Sequence, residues 1–147
     1  MLIAAAEAGL KALGVDTCEV AVRQARACGA VVLHGSIFSS LPQEGRWGSA
    51  LLLDGNVGIG GNVAALLTRL AQLVCPDGSV LADVDPQPDL DLSYVAVLED
   101  AAGHLSEPFA WSRVGAESLA MHAAVAGWRI TSMTRSSNRA FCQLHRL

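Results

Sequence analysis

Asp54-Gly55-Asn56-Val57-Gly58-Ile59-Gly60-Gly61-Asn62, directly behind the apolar run Ala50-Leu51-Leu52-Leu53, is the stretch whose residue types and spacing could do chemistry. A buried strand that ends in a carboxylate and runs into a glycine-rich turn is how open α/β sheets build a ligand crevice at the carboxyl edge of their strands. The glycines permit positive φ and let backbone come close to a ligand. Asp54 and Asn56 supply a carboxylate and an amide able to orient a reacting group. The same stretch also reads as a turn that only starts the next helix. A second acid, Asp16, closes the short run from Lys11 to Val15. An ionised carboxylate at a strand end can take two hydroxyl hydrogen bonds at once, or it can cap the helix that follows, as Thr17 or Glu19 would also do.

The remaining reactive residue types show no such pattern. His34, His104, His122 and His145 share no spacing, and His122, on an alanine-rich helix, reads as a satisfied, half-buried side chain. Ser40, Ser49 and Ser118 sit in no Gly-x-Ser-x-Gly turn, which argues against a hydrolase nucleophile. Cys18, Cys28, Cys75 and Cys142 lack Cys-x-x-Cys spacing, so they read as small buried hydrophobes and no metal is expected. Arg113 and Arg139 are open to two readings, recognition of an anionic substrate group or plain surface cations. Trp111 either lines a pocket or packs over a sheet edge.

These groups need a frame, and the chain has the length for one. Its 147 residues fit a single domain, 1–147, able to bury a core without disulfides. With 52% hydrophobic and 16% charged residues, a net charge of −4 and Lys11 as its only lysine, it lacks the basic footprint of a nucleic-acid binder. Glu7 and Lys11 interrupt the apolar amino end before membrane-spanning or secretory length, so the reading is of a cytoplasmic protein without a membrane partner.

Periodicity predicts a helix from Met1 to Gly9, the strand-to-helix junction at Asp16, and a helix ended by Gly29 whose buried face holds Val20, Ala21, Ala25 and Cys28. A strand at 30–34 leads into a surface loop that carries Ser36 and Ile37. The strand Ser49 to Leu53 and the helix Val63 to Val74 follow, then a tight turn at Pro76-Asp77-Gly78, the strand Ser79 to Val84 and a polar loop from Asp85 to Asp91. Tyr94 to Leu98 reads as a less regular strand, and Trp111 falls in a loop before a helix from Arg113 to Ala126. Trp128 to Thr134 and Ala140 to Leu144 read as strands joined by Arg135-Ser136-Ser137-Asn138-Arg139, which makes them antiparallel neighbours.

This order of elements resembles the class I S-adenosylmethionine-dependent methyltransferases from about Ala4 to the last residue. The resemblance is strongest to a bacterial branch with a Leu-Leu-Leu-Asp-Gly-Asn-x-Gly-Ile-Gly-Gly segment, here Leu51 to Gly61, and a closing pair with Phe141, Leu144 and Arg146. It implies an α/β, Rossmann-like, mostly parallel sheet with an antiparallel carboxyl-terminal strand pair, S-adenosylmethionine as cofactor and a small-molecule methyl acceptor. By position, Asp16 matches the acid that bonds both ribose hydroxyls. Ser36 falls where the family often has an acid bonding the adenine amino group, and an ordinary loop serine is the other reading. Ile37 matches the residue touching the ring. Asp54 and Gly55 match the segment beside the sulfonium, with Asp54 or Asn56 orienting the nucleophile.

The family's first strand and its Gly-x-Gly-x-Gly loop would precede the helix at Leu2 to Leu10, so the expectation is an amino-terminally truncated fold. The strands ending at Asp16 and Asp54 then pair with each other, take a strand from another chain, or stay as open edges through which copies of the chain associate as a homo-oligomer. Two other readings stand beside methyl transfer. One is a catalytically inactive methyltransferase-like remnant acting as an interaction domain. The other is a nucleotide-binding or oxidoreductase domain, although the glycines lack Gly-x-Gly-x-x-Gly spacing.

Overall fold

Residues 1–136 and 139–147 are described by a computed structural model, in which the chain falls into two units, Met1–Pro42 and Gln43–Leu147. Ser137 and Asn138, in the expected joint between the last two strands, lie outside the described residues.

The first unit runs α1 (Leu2–Glu7), β1 (Gly14–Asp16), α2 (Glu19–Ala27) and β2 (Val32–His34). β1 and β2 pair in parallel, Asp16 opposite His34, and β2 is the one strand partner of β1 among the described residues. The buried face of α2 is rotated about the helix axis from the expected one and shares Ala21 and Ala25 with it. Val22 is its buried side chain, with Ala21 and Ala25 half-buried, whereas Val20 and Cys28 are exposed. Ala25 follows Val22 at i+3, the spacing that shares a helix face. Thr17 does not cap this helix: its N-cap is Cys18, and Asp16 Oδ1 accepts the Cys18 N–H at 2.7 Å.

The second unit continues with β3 (Trp47–Leu52), α3 (Val63–Leu73), β4 (Val74–Val84), β5 (Asp91–Ala96), β6 (Phe109–Val114), α4 (Ala116–Val125), β7 (Trp128–Ser136) and β8 (Arg139–Arg146). Its main sheet has the order β3-β4-β8-β7. β3 and β4 are parallel, as a strand-helix-strand crossover requires, and β8 runs antiparallel to both β4 and β7. The expected antiparallel closing pair is therefore present. The outer edge of β3 carries no strand among the described residues.

α3 is capped by Asn62, whose side chain accepts the Ala65 N–H at 2.9 Å. Its Val63, Leu66, Leu67, Leu70 and Leu73 recur at helical spacing and are all buried. Val80, Ala82 and Val84 alternate inward on β4, and Cys142 and Leu144 do so on β8, so the sheet meets α3 with a continuous apolar face. Trp128 is fully buried in this core and its indole N–H donates to the Leu67 carbonyl at 2.9 Å.

Three expectations need correction. Pro76-Asp77-Gly78 is no turn: it lies within β4, in a bulge where Trp47 pairs with Val74 and Ser49 already pairs with Ser79. The residues from Arg113 do not open a helix. Phe109 to Val114 forms β6, paired with β5 in a hairpin that puts Trp111 and Arg113 on a strand, and the helix starts only after Gly115, in extended conformation. The reading of all four cysteines as buried holds for Cys142, where burial also pushes the thiol pKa up; Cys75 is half-buried, and Cys18 and Cys28 are exposed. No helix among the described residues is long and apolar enough to cross a membrane.

Replacing Trp128 by Phe removes a buried hydrogen-bond donor and part of a ring from the centre of this core. Urea denaturation is expected to show a loss of about 1–3 kcal/mol. An unchanged midpoint and slope would show that the Leu67 bond and the ring volume contribute nothing.

Candidate functional site

The residues singled out in the first unit gather at the carboxyl edge of its parallel pair. Asp16 ends β1, and its carbonyl accepts the Gly35 N–H at 2.9 Å, just beyond the end of β2. The side chain is exposed. Oδ1 holds the Cys18 N–H in a local turn ahead of α2, whose N-cap has no side-chain cap bond, and Oδ2 has no partner among the described residues. Ser36 Oγ accepts the Phe38 N–H at 3.2 Å, which leaves its hydroxyl proton available, and Ile37 beside it is half-buried.

In the second unit the carboxyl ends of β3 and β4 lie side by side. Asp54 has φ 56 and Gly55 φ 82, so the chain turns sharply through two left-handed residues. Asp54 is held there from two sides. Its N–H donates to Asp83 Oδ2 at 3.3 Å, and its Oδ1 accepts from Arg139 Nη2 at 2.7 Å. Arg139 also donates to Asp83 Oδ2, through Nε at 3.2 Å and through Nη2, and its guanidinium lies 5.1 Å above the Phe141 ring. A second pair sits one step further along: Arg113 Nη2 donates to Asp85 Oδ2 at 2.5 Å, while Asp85 Oδ1 takes the Gln87 N–H at 3.0 Å. The Gln87 N–H, and then Arg113, hold the Asp85 carboxyl below its ordinary value of 3.8 against the opposing effect of burial.

These two pairs flank a cavity of about 180 Å³. Val57, Val84, Pro86 and Val114 form its apolar walls, Gly55 and Ser112 also line it, and Asp83, Asp85, Arg113 and Arg139 supply its charges. Among the described residues no three His, Cys, Asp or Glu side chains gather as a metal site. His122 bonds Asp91 Oδ2 at 3.0 Å, as a half-buried structural histidine.

The glycine run turns out to divide its work. A Cβ on Gly58 would lie 2.0 Å from the Ser112 carbonyl oxygen, and one on Gly61 2.8 Å from Ala110 Cβ, so these two glycines let the turn pack on β6. Ile59 makes an isolated bridge with Trp111 there. Gly55 differs: nothing lies within 4 Å of where its Cβ would be. Asn56 is exposed in the short 3-10 turn Asn56–Gly58, and its side chain has no partner among the described residues. Asp83 and Asp85 were not singled out from the sequence. The signal available for them was an acid at a strand's carboxyl end, the one that pointed to Asp16 and Asp54.

No family model matches the sequence, and no curated protein sequence matches it significantly. Solved structures do match. An S-adenosylmethionine-dependent methyltransferase from Bacteroides fragilis, solved with S-adenosyl-L-homocysteine, superposes with a TM-score of 0.75 at 19% identity, over 99% of this chain and 67% of its own. The 1,6-didemethyltoxoflavin-N1-methyltransferase of Burkholderia thailandensis, with 1,6-didemethyltoxoflavin and S-adenosylhomocysteine bound, gives 0.62 at 18% identity, over 96% and 63%. NcsB1, an O-methyltransferase from neocarzinostatin biosynthesis solved with S-adenosyl-L-homocysteine and 1,4-dihydroxy-2-naphthoic acid, gives 0.64 at 21% identity, over 94% and 42%. This chain thus spans part of the length of each. The likeness establishes the fold as that of the class I S-adenosylmethionine-dependent methyltransferases.

The Asp85 pair has a pH signature. A carboxyl held below its ordinary value in the folded chain contributes stability above that value and loses it as pH falls through the folded one. Denaturation midpoints of the parent and Asp85→Asn are therefore expected to differ most above pH 3.8 and to converge below it. A difference that grows with acid would reverse the assignment.

Proposed function

We propose that this chain transfers a methyl group from S-adenosylmethionine to a small-molecule acceptor. The observation that carries this is the Asp54-Gly55 turn. It stands at the carboxyl edge of a parallel pair, with positive φ at both residues and open space beside Gly55, in a fold whose solved examples hold S-adenosylhomocysteine. The Burkholderia enzyme was solved with 1,6-didemethyltoxoflavin and NcsB1 with 1,4-dihydroxy-2-naphthoic acid, which supports a small acceptor.

The residues present have the right chemistry for the cofactor. Within the first unit, Asp16 keeps Oδ2 for the ribose hydroxyls, and Ser36 offers a hydroxyl and Ile37 an apolar surface to the adenine. When bound, S-adenosylmethionine supplies an electrophilic methyl carbon and a thioether leaving group. The acceptor's lone pair forms the new bond as the carbon–sulfur bond breaks, with its electrons going to sulfur and the acceptor's proton to water. The chain has to align the two and keep water from between them, which can supply much of the rate without a strong base. Asp54, steadied by Arg139, and the unpartnered amide of Asn56 are the groups proposed to orient the nucleophile.

Calorimetric titration with S-adenosylhomocysteine tests this directly, with a dissociation constant near micromolar as the expected result. Asp16→Ala should weaken it roughly tenfold or more, because a hydrogen bond to a charged group is worth about 1.5–3 kcal/mol and about 1.4 kcal/mol is a factor of ten. A folded protein that gives no heat would instead favour the inactive, methyltransferase-like interaction domain. Binding of a nicotinamide nucleotide in its place would favour an oxidoreductase.

A further inference from the structure

We infer that the cavity beside Asp83 and Asp85 takes a small ring bearing a carboxylate, with Arg113 as the residue that selects the negative charge. As a statement about the methyl acceptor this rests on the function proposed above; as a statement about an anion site it stands on the cavity alone.

The lining balances formally, with two arginines against two aspartates, so the choice between an anionic and a cationic ligand depends on which charges are presented. The aspartate side chains are only 12% and 13% exposed, whereas Arg113 is 56% and Arg139 49% exposed. Both Asp85 oxygens are engaged, by Gln87 N–H and Arg113, and Asp83 Oδ2 takes the Asp54 N–H as well as Arg139. A cationic ligand would find Asp83 Oδ1 alone without a partner among the described residues, on a sheltered carboxylate whose charge Arg139 already offsets. An anion displaces nothing. Arg113 spends one nitrogen, Nη2, on Asp85, and its Nε and Nη1 have no partner among the described residues. Arg139 likewise keeps Nη1. The bond from Nη2 tethers the guanidinium at the cavity, and the second Nη2 N–H beside Nε–H or Nη1–H forms the fork that matches an incoming carboxylate.

Size and wall chemistry narrow the class. About 150 Å³ of apolar cavity is enough for benzene, so the 180 Å³ here holds one substituted six-membered ring. Val57, Val84, Pro86 and Val114 give that ring apolar contact. Ser112 adds little polarity, since its buried hydroxyl is bonded to Ser93 at 2.9 Å. Asp54, 81% exposed, pairs with Arg139 and is no part of the cavity wall.

Salicylate and its neutral counterpart salicylamide, titrated separately and followed by NMR shift changes of the cavity residues, test the inference. Salicylate is expected to bind at least about tenfold more tightly, a single good interaction's worth. Arg113→Gln should abolish that preference, and Arg113→Lys, which keeps the charge but loses the fork, should restore part of it. Equal binding of the two probes by the unaltered chain overturns the inference without any variant, as does failure of salicylate to bind at millimolar concentration. A run with S-adenosylhomocysteine separates the two proposals. If that ligand binds but salicylate shows no preference, the anion site falls and the cofactor reading stands; if salicylate shows the Arg113-dependent preference and S-adenosylhomocysteine does not bind, the reverse holds.

Discussion

The carboxylate of Asp83 is the constraint on which the second unit's functional edge depends. It sits near the end of β4, takes the backbone N–H of Asp54 just beyond β3, and takes the guanidinium of Arg139 at the start of β8. Three strand ends are thereby tied through one oxygen. A sheet's ladder stops at its edge, and backbone groups beyond it must find side chains or water. Here the side chain does more than satisfy a donor. Asp54 occupies the left-handed region, a conformation that costs a non-glycine residue on the order of 1–3 kcal/mol unless its surroundings impose it. Asp83 and Arg139 impose it, from the backbone side and the side-chain side respectively. The turn toward Gly55 follows from that restraint.

How much of this was legible in the sequence depended on the distance over which each signal acts. The α3 face was legible because Val63, Leu66, Leu67, Leu70 and Leu73 keep helical spacing for three turns, and the alternation of Val80, Ala82 and Val84 marked a strand. The antiparallel closing pair follows from the shortness of the connection between its two strands. What failed was short or composite. Six residues, Phe109 to Val114, alternate too briefly to outweigh the alanine-rich helix behind them, so the pattern extends that helix upstream and hides the hairpin. Pro76-Asp77-Gly78 has the composition of a turn and the setting of a bulge, and only the pairing of Ser49 with Ser79 distinguishes them. On α2, Val20 and Val22 point to nearly opposite sides among small alanines, which leaves too weak an apolar contrast to place the face.

The site divides along the same line. Asp54, Gly55 and Asn56 could be found because they are consecutive, and Asp16 because it ends its own strand. Arg139 and Asp83 lie 56 positions apart, and Arg113 and Asp85 28, so nothing local ties either pair together. The sequence does hold all four residues, and it offers both arginines as binders of an anionic group. What it lacks is the partner of each, and the partner decides how the guanidinium is oriented and which of its nitrogens remain free. Equally, four glycines in one run look like one feature. The structure separates a position open to a ligand, Gly55, from two whose missing side chains are filled by β6.

That separation bears on what the hairpin does. β6 is joined to the glycine turn through Gly58 and Gly61, and to the end of β4 through the Asp85 N–H, which donates to the Val114 carbonyl at 2.9 Å. Asp85 and Gly115 form a parallel bridge at that point, and a Cβ on Gly115 would lie 1.9 Å from the Gln87 carbonyl oxygen. Across the hairpin, Ser112 bonds Ser93. Arg113 therefore projects from a strand fixed on both sides and across its pair, rather than from a flap. A guanidinium on such a frame meets a ligand with little rearrangement, so the ordering cost of binding falls mainly on the ligand. Selectivity can then change by substitution at Arg113 without disturbing the Asp83 tie, because Arg113 pairs with Asp85 and not with Asp83.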